Sequence, residues 1–529
     1  MTIDSMRSRA VALPIQRSQV ALWISSGIFL ACYIGLTLKA ALVTPLWMDE
    51  VLSVWTARLP SMQRICSAVE KGSGFSPPVY HLALHYYSLV VGGSNLALRS
   101  TSIAGVLLTA ALSFILLRRH LGTAPAVFAS CLIMESLSPF GLQVRPYTLV
   151  TTCYAAALLL WDDLNVNLSW RRALIVGFPL AVAISLHFYA VLLVPGMGII
   201  EILRFIRTRE RRTALWIALV AAGASIFLWL PYMRATYQFN ARDVNGATNG
   251  PRPTFDAMVS MYSYLFQGVG DLKHLGKLGL IGCIVISALF LIMACKLSGF
   301  VSGRNICDGI SDAPHETKGS RNEFWDIVVG TLLVPLIIFL FSLFVTKTFN
   351  LRYVIAGSIG AGALYAEVFS GFPCFRRILP AVLLIAAFLT IKFGVPSIPV
   401  FDHSAIYGAI PGTCPIVVAD GSQFFQLEES APPGFRSRLI YLIVPPGTHV
   451  ADANDMDAIE RWKGIEPNFP VENSSEFLSR KETFYVLDER TSDDTPMTYL
   501  YKMGLIEPLT EIGGAMIYRS RPWSPNSGR

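Results

Sequence analysis

Runs of roughly twenty apolar residues recur along most of this 529-residue chain, and they constrain its fold more than any other feature. About eleven stretches are long enough, or nearly so, to cross a bilayer: Val20–Val43, Leu96–Leu117, Ala124–Phe140, Thr148–Trp161, Ala173–Leu186, Phe188–Leu203, Thr213–Tyr232, Gly276–Ala294, Trp325–Val345, Tyr353–Phe369 and Ile378–Val395. The first is too long for a signal-peptide core and lacks a small-residue cleavage site, so it reads as an uncleaved helix. The expected class is an α-helical polytopic membrane protein.

Charge divides the chain. From Phe401 onward there are 11 basic and 18 acidic residues, whereas the rest holds 32 basic and 18 acidic, out of 43 and 36 in all. A basic, apolar part and an acidic, ordinary part suggest a membrane region followed by an aqueous domain. The basic residues sit between apolar runs instead of on one soluble face, which argues against nucleic acid as a partner. The nine cysteines contain no C-x-x-C pair; Cys66 and Cys414 are the one pair that a shared oxidising compartment would allow to join.

Basic residues in short loops orient the spans. With Arg7, Arg9 and Arg17 in the cytoplasm, alternation puts Arg118/Arg119, Arg171/Arg172, the cluster Arg204, Arg207, Arg209, Arg211 and Arg212, and Arg376/Arg377 on that same side. This requires Pro77–Val91 not to span; it is short, opens on two prolines, and reads as a helix lying on the outer membrane face. The organisation expected is a cytoplasmic tail at 1–19, a membrane domain at 20–400 with an outer first loop at 44–95, and a soluble extracytoplasmic domain at 401–529. That domain alternates strand-like runs (Pro415–Ala419, Arg438–Val444, Thr483–Leu487) with helical ones such as Asp455–Lys463, so it is expected to be small and α/β. Lys296–Glu323 reads as a polar inner loop without catalytic character.

Polar residues gather on the outer side. Asp49-Glu50 follows the first span, and adjacent carboxylates at a membrane boundary need solvation or pairing. They equally suit the first turn of an interfacial helix through Val51–Ala57. Gln143-Val144-Arg145-Pro146-Tyr147, Leu186-His187-Phe188-Tyr189 and Thr348-Phe349-Asn350-Leu351-Arg352-Tyr353 are turns on that face. Singly, such an arginine is a snorkelling anchor, a tyrosine an aromatic-belt residue and a histidine a group hydrogen-bonded in place. Together they put two guanidiniums, whose planar fork matches phosphate, on one face with a carboxylate pair.

In order and topology, Trp47-Met48-Asp49-Glu50, Ser76-Pro77-Pro78-Val79-Tyr80, Arg99, Arg145-x-Tyr147, His187-Phe188-Tyr189 and Arg352-Tyr353 resemble the GT-C superfamily of membrane glycosyltransferases. The nearest branches are the protein O-mannosyltransferases, the aminoarabinose transferases of lipid A and the rhizobial lipopolysaccharide-core transferases. The resemblance covers roughly residues 20 to 400, and where the family has a lysine before the proline this chain has Ser76. It implies a bacterial cytoplasmic-membrane enzyme that moves a sugar from a polyprenyl-phosphate carrier to a glycan, lipid or protein acceptor outside, usually with inversion. It further implies Asp49 and Glu50 as catalytic residues, Arg145, Tyr147, Arg352 and Tyr353 on the donor phosphate, and Tyr80, His187 and Tyr189 on substrate. No nucleotide-binding loop is expected, because the donor is lipid-linked; a divalent metal ion, used by some relatives with a comparable acidic loop, is a further expectation. The competing readings are a transporter or flippase of a lipid-linked sugar, which would carry charges deep within spans and internal repeats, and a non-enzymatic sensor or scaffold. The charged residues are expected at helix ends.

The topology is open to cysteine-accessibility labelling of intact cells. An impermeant reagent should reach a cysteine placed near Asn473 and fail to reach one near Arg207; the reverse pattern contradicts the orientation.

Overall fold

The computed structural model describes residues 3–74, 76–164, 169–241, 252–267, 318–372, 374–395, 403–410, 412–445, 453–489 and 495–522. These form two compact units: 1–42 with 96–229 and 250–398, and 43–95 with 230–249 and 399–529.

The first unit is helical. Its long helices are Ile3–Val43, Asn95–Leu121, Thr123–Gly141, Tyr147–Asp163, Trp170–Leu186, Leu193–Thr208, Thr213–Ala224, Lys318–Phe341, Gly357–Ser370 and Phe375–Phe393. Among the described residues six segments are long and apolar enough to cross a membrane: 18–43, 95–121, 123–141, 188–208, 213–236 and 321–346. This is a polytopic membrane protein. The expected spans at Thr148–Trp161, Ala173–Leu186 and Tyr353–Phe369 fall on helices of 17, 17 and 14 residues, shorter than a bilayer core asks of an untilted helix. Gly276–Ala294 lies outside the described residues, so the total of eleven stays an expectation.

Small residues bring these helices close. A Cβ on Gly330 would lie 2.2 Å from Ile200 Cγ1 and 3.1 Å from the Gly196 carbonyl oxygen, and one on Gly196 would lie 2.3 Å from Val334 Cγ2. Glycine at both positions lets Leu193–Thr208 and Lys318–Phe341 approach more closely than larger residues would, which is the usual means of helix association where lipid removes a hydrophobic driving force.

At one end of this unit a buried ionic network joins several helices. Glu201 accepts Arg204 Nη2 at 2.7 Å and Arg204 Nε at 3.0 Å, and Trp161 Nε1 donates to Glu201 at 3.1 Å. Arg207 pairs with Asp326 at 2.8 Å, and His120 with Asp162 at 2.9 Å. Much of the basic cluster at 204–212 is thus packed against carboxylates, and removing one partner would leave a buried charge uncompensated. Charge is not confined to helix ends. Glu135 sits in the interior of Thr123–Gly141, half-buried beside Tyr33 and Thr390. The expectation of terminal charges is corrected there: one carboxyl among apolar neighbours barely changes a window's hydropathy, so the run still reads as a plain span.

The second unit combines the first outer loop with the tail. Helices Met48–Arg58, Met62–Glu70 and Pro78–Val91 fill the loop. Pro78–Val91 is a helix, as expected of a segment opened by prolines, and it packs Tyr80, His81 and Leu84 inward. The tail carries a six-stranded sheet of β1 (Ile416–Val418), β2 (Leu439–Ile443), β3 (Val471–Asn473), β4 (Tyr485–Asp488), β5 (Ile506–Ile512) and β6 (Ala515–Ser520), in the order β3-β2-β1-β4-β6-β5. The pairs β1–β2, β2–β3 and β1–β4 are parallel, and β4–β6 and β5–β6 antiparallel. The expected α/β character is present, with the three apolar runs singled out above falling on β1, β2 and β4. Trp55 of the loop packs edge-on against Phe425, Trp462 and Phe469 at 5.4–5.6 Å, and its indole nitrogen donates to Glu429 at 2.7 Å. Arg58 also donates to Glu429. Cys66 and Cys414 are free thiols.

Candidate functional site

Three turns of the first unit bring six of the singled-out side chains together. Each turn is set by local bonding. The Arg145 amide donates to the Gln143 carbonyl at 2.9 Å, and Pro146, whose ring pre-sets a helical φ, opens the helix at Tyr147. The His187 ring nitrogen Nδ1 accepts the Tyr189 amide at 3.3 Å where the helix ending at Leu186 breaks. Asn350 Oδ1 accepts the Arg352 amide at 3.1 Å and starts the short 3₁₀ turn Leu351–Tyr353. Short side-chain caps of this kind satisfy backbone groups that a helix end leaves over.

The side chains converge on Tyr147. The Arg145 guanidinium carbon lies 5.5 Å from its ring centroid and that of Arg352 5.6 Å, both within cation–π range. Arg145 Nη2 also donates to the Tyr147 hydroxyl at 3.1 Å. Arg352 is 5.7 Å from the Tyr353 ring, which stacks on Tyr189 at 4.1 Å with 16° between planes. His187 lies 5.3 Å from both Tyr147 and Tyr353. Ser102 donates to the Arg145 carbonyl oxygen, and the Tyr189 hydroxyl meets that of Thr346 at 2.8 Å, so neighbouring helices hold the turns in place. Arg145 and His187 are buried.

The electrostatics follow from this arrangement. Burial, then the Arg145 charge, then the Arg352 charge, push the His187 pKa down to about 3. His187 is therefore neutral over the physiological range. Because Nδ1 accepts the Tyr189 amide, the ring proton is assigned to Nε2, which makes Nε2 a donor. Two guanidiniums, a neutral imidazole donor and phenol hydroxyls form a site of positive potential suited to an oxyanion.

Of the remaining singled-out residues, all but Arg99 lie in the second unit. Asp49 and Glu50 open the helix Met48–Arg58 as its first-turn acids. The Glu50 carboxylate turns back to accept the Trp47 amide at 3.1 Å and is buried. Asp49 is half-buried, and its carbonyl oxygen accepts Ser53 Oγ at 2.9 Å. The two adjacent acids thus have different surroundings. Tyr80 is buried with its ring 5.5 Å from that of His81. Arg99, in the first unit, donates to the Ala41 carbonyl oxygen at 3.2 Å and so caps the end of the first span. Among the described residues no three His, Cys, Asp or Glu side chains gather to hold a metal. Ser53 is a buried polar residue that sequence reasoning passed over, and only its place beside the acidic pair distinguishes it; Gln143, quoted in its turn but given no role, is buried next to Arg145.

No family model matches the chain, and no curated protein matches it. Among solved structures, ArnT from Cupriavidus metallidurans bound to undecaprenyl phosphate aligns at 12% identity over 94% of this chain and 98% of that one, with a TM-score of 0.44. The archaeal oligosaccharyltransferase AglB from Archaeoglobus fulgidus, in complex with an inhibitory peptide and a dolichol-phosphate, aligns at 12% identity over 97% of this chain and 75% of that one, with a TM-score of 0.41. The arabinosyltransferase EmbB from Mycobacterium smegmatis aligns at 14% over 65% of this chain and 30% of that one, with a TM-score of 0.40. Likenesses this remote leave family and activity to the chain's own residues.

The His187 environment gives a pH signature. Its folded pKa lies below its ordinary value of about 6.5, so on acidification the unfolded chain takes up a proton that the folded chain refuses. Stability present above that value is lost as pH falls below it. The unfolding midpoint of the wild type should drop more between pH 7.5 and pH 5 than that of His187→Gln, whose amide still caps the Tyr189 amide. Equal drops contradict the neutral, buried imidazole.

Proposed function

We propose that the chain is a polyprenyl-phosphate-sugar-dependent glycosyltransferase that acts by inversion on an acceptor outside the cytoplasmic membrane. The observation that carries this reading is the convergence of Arg145 and Arg352 on the Tyr147 ring beside the buried His187. In this reading Arg145 and Arg352 bind the carrier phosphate bidentately, and Tyr147, Tyr353 and the His187 Nε2 proton complete the donor set. As the bond from the anomeric carbon to the phosphate oxygen breaks, charge grows on that oxygen, and fixed cations stabilise it without reorganising. Tyr189 and Tyr80 serve the sugar and the acceptor.

The acceptor hydroxyl forms its bond to the anomeric carbon as Asp49 takes its proton. Glu50 is given the ordering role, because its carboxylate already closes the first turn of the loop helix. In this reading the N-terminus is cytoplasmic, with 44–95 and 401–529 outside; the basic residues of the short loops support it. A transporter or flippase of a lipid-linked sugar is the second reading. Glu135 inside a span favours it, and it needs no base at Asp49.

A transfer assay with purified protein and a panel of polyprenyl-phosphate sugars separates them. Transfer to an acceptor supports the enzyme, and vesicle translocation without transfer supports the transporter. In the same assay Asp49→Asn should lower turnover about 10²-fold or more with donor binding near normal, the usual scale for losing a general base. Asparagine caps a helix about as well as aspartate, so near-wild-type turnover removes Asp49 as the base. Arg352→Lys should weaken donor binding because the fork is lost; unchanged affinity removes Arg352 from the phosphate site.

A further inference from the structure

The tail has a second polar centre that this mechanism does not use. The chain steps outward from β1 to β2 to β3, then returns to place β4 on the other side of β1, and the three pairings are parallel. The gap between the carboxyl ends of β1 and β4 is therefore the switch point of the sheet, the place where open α/β sheets leave a crevice for ligands.

Its lining is specific. Just past β1, Asp420 accepts the Gln423 amide at 2.6 Å and caps the helix Gly421–Ser430. Just past β4, Glu489 Oε1 takes the Gln423 side-chain amide at 2.8 Å and meets His403 Nε2 at 2.9 Å. Gln423 is 1% exposed and His403 3%. A carboxylate only accepts, so the Gln423 NH₂ must face Glu489, which leaves the carbonyl oxygen on the other branch of the amide. That oxygen is buried and meets no donor among the described residues. Buried acceptors are nearly always satisfied, so one left over calls for a donor from elsewhere. Two carboxylates occupy the helix N-terminus and disfavour an anion there. What remains is a ligand that brings hydrogen-bond donors without negative charge.

We propose that this crevice, formed by His403, Asp420, Gln423 and Glu489, binds a neutral or amino carbohydrate, whose hydroxyl or amino groups donate to Gln423 Oε1 and to the Glu489 carboxylate. The site stands on the geometry of the tail alone; the choice of carbohydrate rests on the transferase reading above, in which such a ligand is the acceptor glycan. The test uses the full chain in detergent on an array of immobilised neutral, amino and acidic oligosaccharides. Wild type should be retained by members of the neutral or amino sets and not by the acidic set. Gln423→Met, which keeps the volume and removes both polar atoms, should cut retention about tenfold or more. If its melting curve shows that it misfolds, Glu489→Gln decides, since it keeps a hydrogen-bonding side chain at that position and removes the charge; it should weaken retention of amino sugars most. No retention of wild type, preference for the acidic set, or equal retention by the folded variants overturns the proposal. Arg352→Ala should lose donor binding and keep array retention; array failure with intact donor binding sinks this site and leaves the transferase standing.

Discussion

Two guanidiniums flanking one phenol ring is the interaction on which the rest of the account depends. Arg145 and Arg352 come from turns more than two hundred positions apart in sequence, and both lie within 5.6 Å of the Tyr147 ring. Like charges this close, in surroundings buried enough to hold His187 neutral, raise a potential that an anion lowers. Helix packing behind the site keeps the turns from relaxing apart: glycines at 196 and 330 let two helices close up, and Ser102 and Thr346 bond the turns themselves. The scaffold is then a device for holding positive charge in place, which is what a leaving phosphate requires.

The turns were legible in the sequence because each breaks an apolar run with residues that have a clear reason to sit at a helix end. Proline at 146 opens a helix, Asn350 and His187 cap backbone amides, and the arginines and tyrosines beside them stand out against hydrocarbon. The tail was legible for a similar reason, since short β-branched and aromatic runs separated by turn residues read as strands. Its strand order was not legible, because pairing between distant segments leaves no local trace.

Other features escaped sequence reading for physical reasons. The Asp49-Glu50 pair offered capping and catalysis as alternatives, and only coordinates show Glu50 bonded to the Trp47 amide while Asp49 stays half-buried. The packing of Trp55 on Phe425, Trp462 and Phe469 joins segments some four hundred residues apart, which no periodicity reveals. Glu135 was hidden by its neighbours' hydropathy. The Gln423 carbonyl became notable only once its amide was seen to be committed to Glu489.

The central claim is that Arg145 and Arg352 hold a lipid phosphate. The most direct measurement is photo-crosslinking of the purified chain with a polyprenyl phosphate bearing a photoreactive group next to the phosphate, followed by peptide mapping. The account predicts label on the peptides containing Tyr147, His187 and Tyr353, lost on adding excess unmodified carrier. Label confined to other peptides, or label on these that excess carrier does not displace, would contradict it.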